Sequence, residues 1–266
     1  FYTSLSGLKN AQTDLNTIAH NIANAETNGF KRSRVDFADI VAGSAYTNPR
    51  LTMGIGSTVE AITQNFSVGP IEQTGSALDL AISGDGFFST VSAATGETMF
   101  TRNGAFSIDE GGFVQDGQGN RLQIFAPGAN PATDAPIDAL VPIVNGGGAE
   151  LAGVTVSNLG ELIASYADGT NDVIGTVALA SFISAPGLKQ VGSSNWQTTG
   201  LSGAPAYGVP GGGKFGGLIS GALERSNVDI AEELVNLITA QRYFQANAKA
   251  IDTATQISQA VINLRS

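Results

Sequence analysis

The stretch closest to a chemical motif is Gly208-Val209-Pro210-Gly211-Gly212-Gly213-Lys214-Phe215. Its spacing matches a phosphate-binding loop, where backbone amides and a lysine cradle a nucleotide. Phe215, however, stands where magnesium needs the hydroxyl of Ser or Thr. No strand clearly feeds it and no helical pattern follows, so it reads as a flexible turn. Gly84-Asp85-Gly86-Phe87-Phe88 lacks the third glycine of a dinucleotide fingerprint and precedes a strand instead of a helix. Asp168-Gly169-Thr170-Asn171-Asp172 resembles part of a calcium loop but lacks the distal Glu, and a hairpin turn explains it better. The carboxylate pair Asp109-Glu110 falls at a turn and is expected to face water. His20 is the single histidine, which excludes a two-histidine metal motif and leaves a Ser-His-Asp arrangement only one base. It lies off the apolar stripe of its helix and reads as a surface polar residue. With no cysteine there is no disulfide, thiolate nucleophile or Cys-based metal site. The chain is therefore expected to have no catalytic residue, no cofactor and no metal.

The elements around these residues carry more information. The 266 residues allow one to two domains. The formal net charge of −10 argues against nucleic acid, which calls for a basic patch. No run of 18 apolar residues exists, so no membrane insertion through a helix is expected. The charge is uneven. Residues 51–188 hold 14 acids against Arg102 and Arg121, while the two ends together hold 9 acids and 11 bases. An acidic body on near-neutral ends is the pattern of a solvated domain whose termini do something else.

Both ends have helical periodicity. Phe1, Leu8, Leu15 and Ile22 step by seven over residues 1–25, with Ser4, Ala11, Ile18 and Ala25 as a weaker row and Leu5 and Ala19 beside them. Such spacing places them on one helix face. Gly7 is the one breaker, at about 1 kcal/mol relative to Ala, and Asn28-Gly29 is the stop. Near 227–265, Ile230, Leu237, Phe244 and Ile251 also step by seven, and Ala254, Ile257, Val261 and Leu264 continue a drifting stripe. Ser226 with Asp229 resembles a capping box. A helix of ~39 residues is about 58 Å long and needs a partner along its length. Its seams are weakened by Gln241, Ala248, Thr255 and Ser258, which suits a crowded assembly better than an isolated pair.

From 56 to 222 the pattern changes to short strand-like runs about ten residues apart, punctuated by Gly84-Asp85-Gly86, Asn103-Gly104, Gly111-Gly112, Pro127-Gly128 and Asp168-Gly169. This is the pattern of an antiparallel β domain. The expected fold class is α+β: a mainly-β body carried on paired long terminal helices of coiled-coil type. The expected organisation is a discontinuous helical domain (1–28 with 226–266), an extended linker (29–66, with Phe37 to Val41 a short ordered piece) and an antiparallel β domain (67–225) with no large insert.

Three separated stretches then carry a resemblance. The first is Ser4-Leu5-Ser6-Gly7-Leu8 with Asn21-Ile22-Ala23-Asn24-Ala25-Glu26-Thr27-Asn28-Gly29-Phe30-Lys31. The second runs from Gln64-Asn65-Phe66 through Leu78-Asp79-Leu80-Ala81-Ile82-Ser83-Gly84-Asp85-Gly86-Phe87-Phe88 to Thr101-Arg102-Asn103-Gly104. The third is Glu224-Arg225-Ser226-Asn227-Val228-Asp229 with Gln241-Arg242-Tyr243. Their order and content strongly resemble the bacterial flagellar rod and hook proteins over essentially the whole chain. His20 replaces an Asn usual in that family. Arg34 to Asp39, Ala164 to Gly169 and Ile174 to Phe182 are most similar to a hook subunit. A short hook protein is the first expectation and the distal rod protein the second, since residues 126–150 leave no room for the outer domain many hook proteins insert.

The resemblance implies a subunit of the flagellar hook or basal body, outside the cell after export by the flagellar type III apparatus. It implies a helical homopolymer whose terminal helices form an inner tube under β domains. Rod proteins, hook–filament junction proteins and the hook cap are the implied further partners. The implied polymerisation residues are Leu5, Leu8, Leu15, Ile18, Ile22, Leu234, Leu237, Phe244, Ile251, Ile257, Val261 and Leu264. Residues 1–25 and 227–266 are expected to order only on assembly. Two rival classes make their own demands: a carbohydrate-binding β module would display Trp196 and Tyr207 on its surface, and a hydrolase would build on His20.

Overall fold

The computed structural model describes residues 1–43 and 52–264. Residues 44–51 of the expected linker and the last two residues of the chain lie outside the described residues. The described chain divides into two compact units: residues 1–25, 32–65 and 228–264 in the first, 26–31 and 66–227 in the second.

The first unit contains α1 (Tyr2–Ala23), the strands β1 (Ser33–Ala42) and β2 (Met53–Gln64), and α2 (Ile230–Asn263). At 34 residues α2 spans about 51 Å, shorter than the periodicity implied. Its start is set by Asp229 and not by Ser226. The Asp229 carboxylate accepts from the N–H groups of Ala231 and Glu232, and Glu232 and Glu233 add negative charge to the first turn. The helices pack antiparallel. Asn21 meets Glu233, and at Gly7 a side chain would land 2.6 Å from Asn247 Oδ1. Gly7 is therefore the point of close helix–helix approach, which offsets its poor helix propensity.

The inward row of α2 is Glu233, Leu237, Ala240, Phe244, Asn247, Ile251 and Ala254, each buried or half-buried. The row keeps a strict heptad, but alternate positions are small or polar, so the apolar pattern reveals only Leu237, Phe244, Ile251 and Ala254. In this register the start of α1 lies level with Thr253. The turns from Thr255 to Leu264 run on for about 15 Å, and every side chain there is exposed.

Much of the expected linker is a two-stranded antiparallel ribbon, from Ser33 opposite Gln64 to Ala42 opposite Met53, with bulges after Asp36 and Ile40. It docks on α1 through Asn10 Nδ2 donating to Ser57 Oγ (2.7 Å). An isolated ribbon of this kind is marginal in water and depends on such docking. Phe37, Ile62 and Met53 stay exposed along it, which blurs the alternation that reveals a strand.

The second unit is antiparallel β. Its strands are β3 (Ile71–Gln73), β4 (Leu80–Ser83), β5 (Phe87–Ser92), β6 (Thr98–Thr101), β7 (Ser107–Ile108), β8 (Val114–Gln115), β9 (Asn120–Phe125), β10 (Ile137–Asp138), β11 (Leu151–Val156), β12 (Glu161–Tyr166), β13 (Asn171–Val177), β14 (Leu179–Ser181), β15 (Lys189–Gly192), β16 (Asn195–Gln197), β17 (Ala206–Gly208), β18 (Gly217–Ser220) and β19 (Ala222–Glu224). The main sheet follows the order β11-β12-β13-β9-β5-β6-β16-β15, with β14 joining β5 to β17. Two smaller pairs, β4 with β18 and β3 with β19, bring the segments 71–83 and 217–224 together.

The larger core gathers Leu80, Ile82, Phe88, Leu122, Ile124, Leu162 and Leu179. The smaller one is aromatic. Phe87, Phe100 and Trp196 are buried there with Phe66, Phe182 and Tyr207 against them, mostly edge to face. The architecture is α+β, as expected from the change of period along the chain.

Candidate functional site

Each near-miss motif forms a local turn. Gly212 N–H donates to Val209 and Phe215 N–H to Gly212, closing the loop that mimics a phosphate cradle. The Asp168 carboxylate accepts from the Thr170 hydroxyl and amide and from Asn145, which together hold it below the usual carboxylate range. Asp109 Oδ1 caps the amides of Gly111 and Phe113. His20 is exposed on α1 beside Asn24. Among the described residues no three His, Cys, Asp or Glu side chains converge as a metal site. Trp196 is fully buried in the aromatic core and Tyr207 is half-buried against it, so neither offers the exposed platform named for a carbohydrate-binding module. The indole packs between Phe66 and Phe87 instead.

The densest polar constellation lies inside the second unit, and Glu224 is its centre. Glu224 Oε1 accepts from Lys31 Nζ (2.5 Å) and from the Gly69 amide (2.9 Å). Glu224 Oε2 accepts from Arg102 Nε (2.8 Å) and Nη2 (2.7 Å). The side chains of Lys31 and Glu224 have no exposed area, and that of Arg102 is 4% exposed. The remaining donors also find partners: Lys31 donates to Ser67 O, and Arg102 donates to the carbonyls of Gly84, Gly86 and Ile82. Burial pulls the Lys31 ammonium below the ordinary lysine range, with Glu224 opposing. The cluster holds two cations and one anion, and only full hydrogen bonding makes that tolerable in a dry interior.

This cluster explains the three quoted stretches. Lys31 comes from the first, Gly84, Gly86 and Arg102 from the second, and Glu224 from the third. Gly29 donates its amide to the Glu224 carbonyl (2.8 Å) with φ of +67°, and a side chain there would lie 2.4 Å from the Asn103 nitrogen. Phe30, Ala81, Phe87, Phe88 and Ser226 are buried, Thr27, Leu78 and Asp79 half-buried, and Asn227 donates to Ser67. Arg225, next to Glu224, pairs with Glu26 and Glu72. Arg102 stands in the quoted Thr101-Arg102-Asn103-Gly104 segment, but nothing local in that segment says that it pairs with Glu224. The signal for it is composition: it is one of only two bases in residues 51–188.

The first unit has its own polar knot. Asn21 exchanges two hydrogen bonds with the Ser33 backbone (2.8 and 2.9 Å) and donates to Glu233 (3.1 Å). Arg32 Nε pairs with Glu233 (2.7 Å) and Nη1 with Glu232 (2.9 Å). Asp14 borders the same cleft, and burial, with Glu233 adding, pushes its carboxyl up. Asn24 caps back to the His20 carbonyl, while Ile22 and Val228 are half-buried and Ala23 is exposed.

The residues named for polymerisation divide in two. Leu5, Leu8, Leu15 and Ile22 are half-buried and Ile18 buried on α1; Leu237, Phe244 and Ile251 are half-buried on α2. Leu234, Ile257, Val261 and Leu264 are exposed at 46%, 61%, 58% and 88%. The first group is buried or half-buried within the first unit, and the second is exposed on α2.

Comparison with known proteins agrees with this organisation. Residues 1–31 match the family described as flagella basal body rod protein, residues 81–164 the flagellar hook protein FlgE/F/G D1 domain, and residues 219–264 the flagellar basal body rod FlgEFG protein C-terminal. The chain is 36% identical to the flagellar basal-body rod protein FlgG of Bacillus subtilis, over 99% of this chain and 98% of that one. It is 34% identical to FlgG of Buchnera aphidicola, over 96% and 95%. The flagellar hook protein FlgE of Salmonella typhimurium is 27% identical over the full length of both chains, in an alignment of 410 positions. With its buried cluster built from all three matched stretches, this chain belongs to the flagellar basal-body rod and hook family of structural, non-enzymatic proteins.

Proposed function

We propose that this protein is an axial subunit of the bacterial flagellum that assembles with copies of itself into a tube. The observation that carries this reading is the unfinished surface of the first unit. The last ten described residues of α2 hold Ile257, Val261, Ile262 and Leu264, all more than half exposed. Leu234, Val235 and Ile238 extend the exposed apolar surface along the same helix. A long helix with such flanks is satisfied when neighbours surround it. In this reading α1 and α2 make a coiled-coil-like inner layer and the β unit the outer one. Rod proteins, hook–filament junction proteins, the hook cap and the type III export apparatus are the remaining partners.

Between the two kinds of subunit, a distal-rod role has the better support. The FlgG relatives align end to end without a large gap, whereas the FlgE alignment runs to 410 positions because those proteins carry a stretch with no counterpart in these 266 residues. The hook role, a universal joint whose glycine-rich loops let β domains slide, keeps the support of the segments 164–169 and 174–182. Electron microscopy of the purified protein tests both. Straight rigid tubes support the rod, curved tubes the hook, and a protein that stays monomeric at high concentration refutes the assembly reading.

A further inference from the structure

The second unit carries an apolar projection and, elsewhere on its surface, an apolar groove. The projection is made by Ile183 and Leu201, exposed at 95% and 83%. Their loops are laced together: Thr199 Oγ1 donates to the Gly187 carbonyl (2.5 Å), and the buried Ser202 hydroxyl donates within its own turn. Two large aliphatic side chains are thus held out on a rigid support, with little ordering cost left for binding. The groove is a cavity of 490 Å³ lined by Leu78, Phe106, Ile108, Leu151 and Val154, and its floor belongs to the larger core. It borders β11, the first strand of the main sheet's path, while the projection flanks β15, the last.

The charges around the two features are opposite. Each of the three groove segments adjoins acids: Asp79 after Leu78, Asp109 and Glu110 after Ile108, Glu150 before Leu151. No base occurs in residues 74–82, 103–115 or 144–156. The two exposed lysines of the second unit, Lys189 and Lys214, both sit at the projection. Lys189 follows the 185–187 turn, and Lys214 lines a hollow with Ile183 and Asp85.

We propose that the Ile183–Leu201 projection of one copy seats in the Leu78–Phe106–Leu151 groove of the next, with Lys189 and Lys214 against the acidic rim. Projection and groove occupy different surfaces, so the contact is head-to-tail and leaves one free end of each kind at every step. Contacts of that type build open-ended chains and not closed dimers. Opposite charge steers the encounter and fixes its register, and the buried aliphatic pair holds it. The contact is small, so it acts between neighbours that helix packing already keeps close. This inference rests on the self-assembly reading above and adds which β surfaces meet.

The absence of native cysteine permits a direct test. One chain carries Leu201→Cys and a second Ala152→Cys; the two are mixed, assembled and treated with a short bis-maleimide. The expected result is a cross-linked dimer in the sedimented mixed polymer and none in either polymer alone. In parallel, Ile183→Asp with Leu201→Asp is expected to raise the critical concentration for assembly at least tenfold. Lys189→Glu with Lys214→Glu is expected to do the same and to be rescued by copolymerisation with Glu110→Lys, Glu150→Lys chains. Unchanged Trp196 fluorescence in each variant establishes that the β unit is folded. If wild-type protein forms no polymer, the assembly reading falls and this contact with it. If it polymerises but gives no mixed dimer, or the double aspartate variant assembles at the wild-type concentration, this contact alone is refuted.

Discussion

Replacing Glu224 by Gln keeps the shape of the buried cluster and removes its only anion. Lys31 and Arg102 then remain as two buried cations without a counter-charge, and a glutamine NH2 meets donors that had an oxygen to bond. Breaking one buried pair by removing a partner costs about 3–5 kcal/mol, a large share of the 5–15 kcal/mol that holds a typical domain together. At about 2–4 °C per kcal/mol for a domain of this size, the melting midpoint of the second unit should fall by about 6–20 °C. The assay is intrinsic: the single tryptophan, Trp196, is fully buried in that unit and reports its unfolding by fluorescence. Two companions sharpen the test. Lys31→Met leaves the Glu224–Arg102 pair neutral and should cost less than Glu224→Gln. Arg225→Ala breaks solvent-reached pairs with Glu26 and Glu72, each within about 0–1 kcal/mol, and hydrogen bonds to Asn28 and the Glu26 carbonyl. A midpoint drop for Glu224→Gln no larger than that of Arg225→Ala, or a larger one for Lys31→Met, would refute the reasoning.

Gly29→Ala forces a side chain onto a left-handed backbone and against the Asn103 nitrogen; the Trp196 melting midpoint should drop by at least about 2–4 °C, the shift for one kcal/mol. Asp14 has a carboxyl raised above its ordinary 3.8, so between the two values the folded state binds more protons than the unfolded one. Stability of the first unit therefore falls as pH rises through that window. In the assembled protein, Asp14→Asn should raise the helical melting temperature at neutral pH, and the gain should close as pH approaches 3.8. Leu15→Asp should block polymerisation while the Trp196 melt stays at the wild-type midpoint; a polymerising variant removes Leu15 from the interface. Circular dichroism of monomer against polymer should show helix gained on assembly, and equal helix content in both would count against ordering of the ends at that step.

Periodicity made the helices legible. Leu8, Leu15 and Ile22 define the face of α1 because a helix that buries one side repeats apolar residues every third or fourth position. The same reasoning reached only half of the α2 seam, since Glu233, Ala240 and Asn247 are inward residues that no hydropathy pattern marks. Their place follows from Asn21, Arg32 and Gly7, which come from distant parts of the chain. The ribbon 33–64 is only partly legible, as a short ordered piece at Phe37 to Val41 and a strand-like run from Val59, because several of its apolar residues, Phe37, Ile62 and Met53 among them, stay exposed and its alternation is weak. Ser226 looked like a cap because of its spacing, but only backbone geometry identifies the residue whose oxygen reaches the first free amides, and that residue is Asp229.

The sequence by itself determined the α+β class and the family resemblance, because period, composition and short motifs are local properties. Only the tertiary structure decided why those motifs are there. Lys31, Arg102 and Glu224 are separated by up to 193 positions, and nothing in their spacing says that they share one dry cavity. A buried charge is stable only when its partners surround it in three dimensions, and those partners arrive through the pairing of β3 with β19 and of β4 with β18. The helix ends follow the same rule: heptads announce that a helix wants a neighbour, and only the fold shows which described residues, Ile257, Val261 and Leu264 among them, stay exposed.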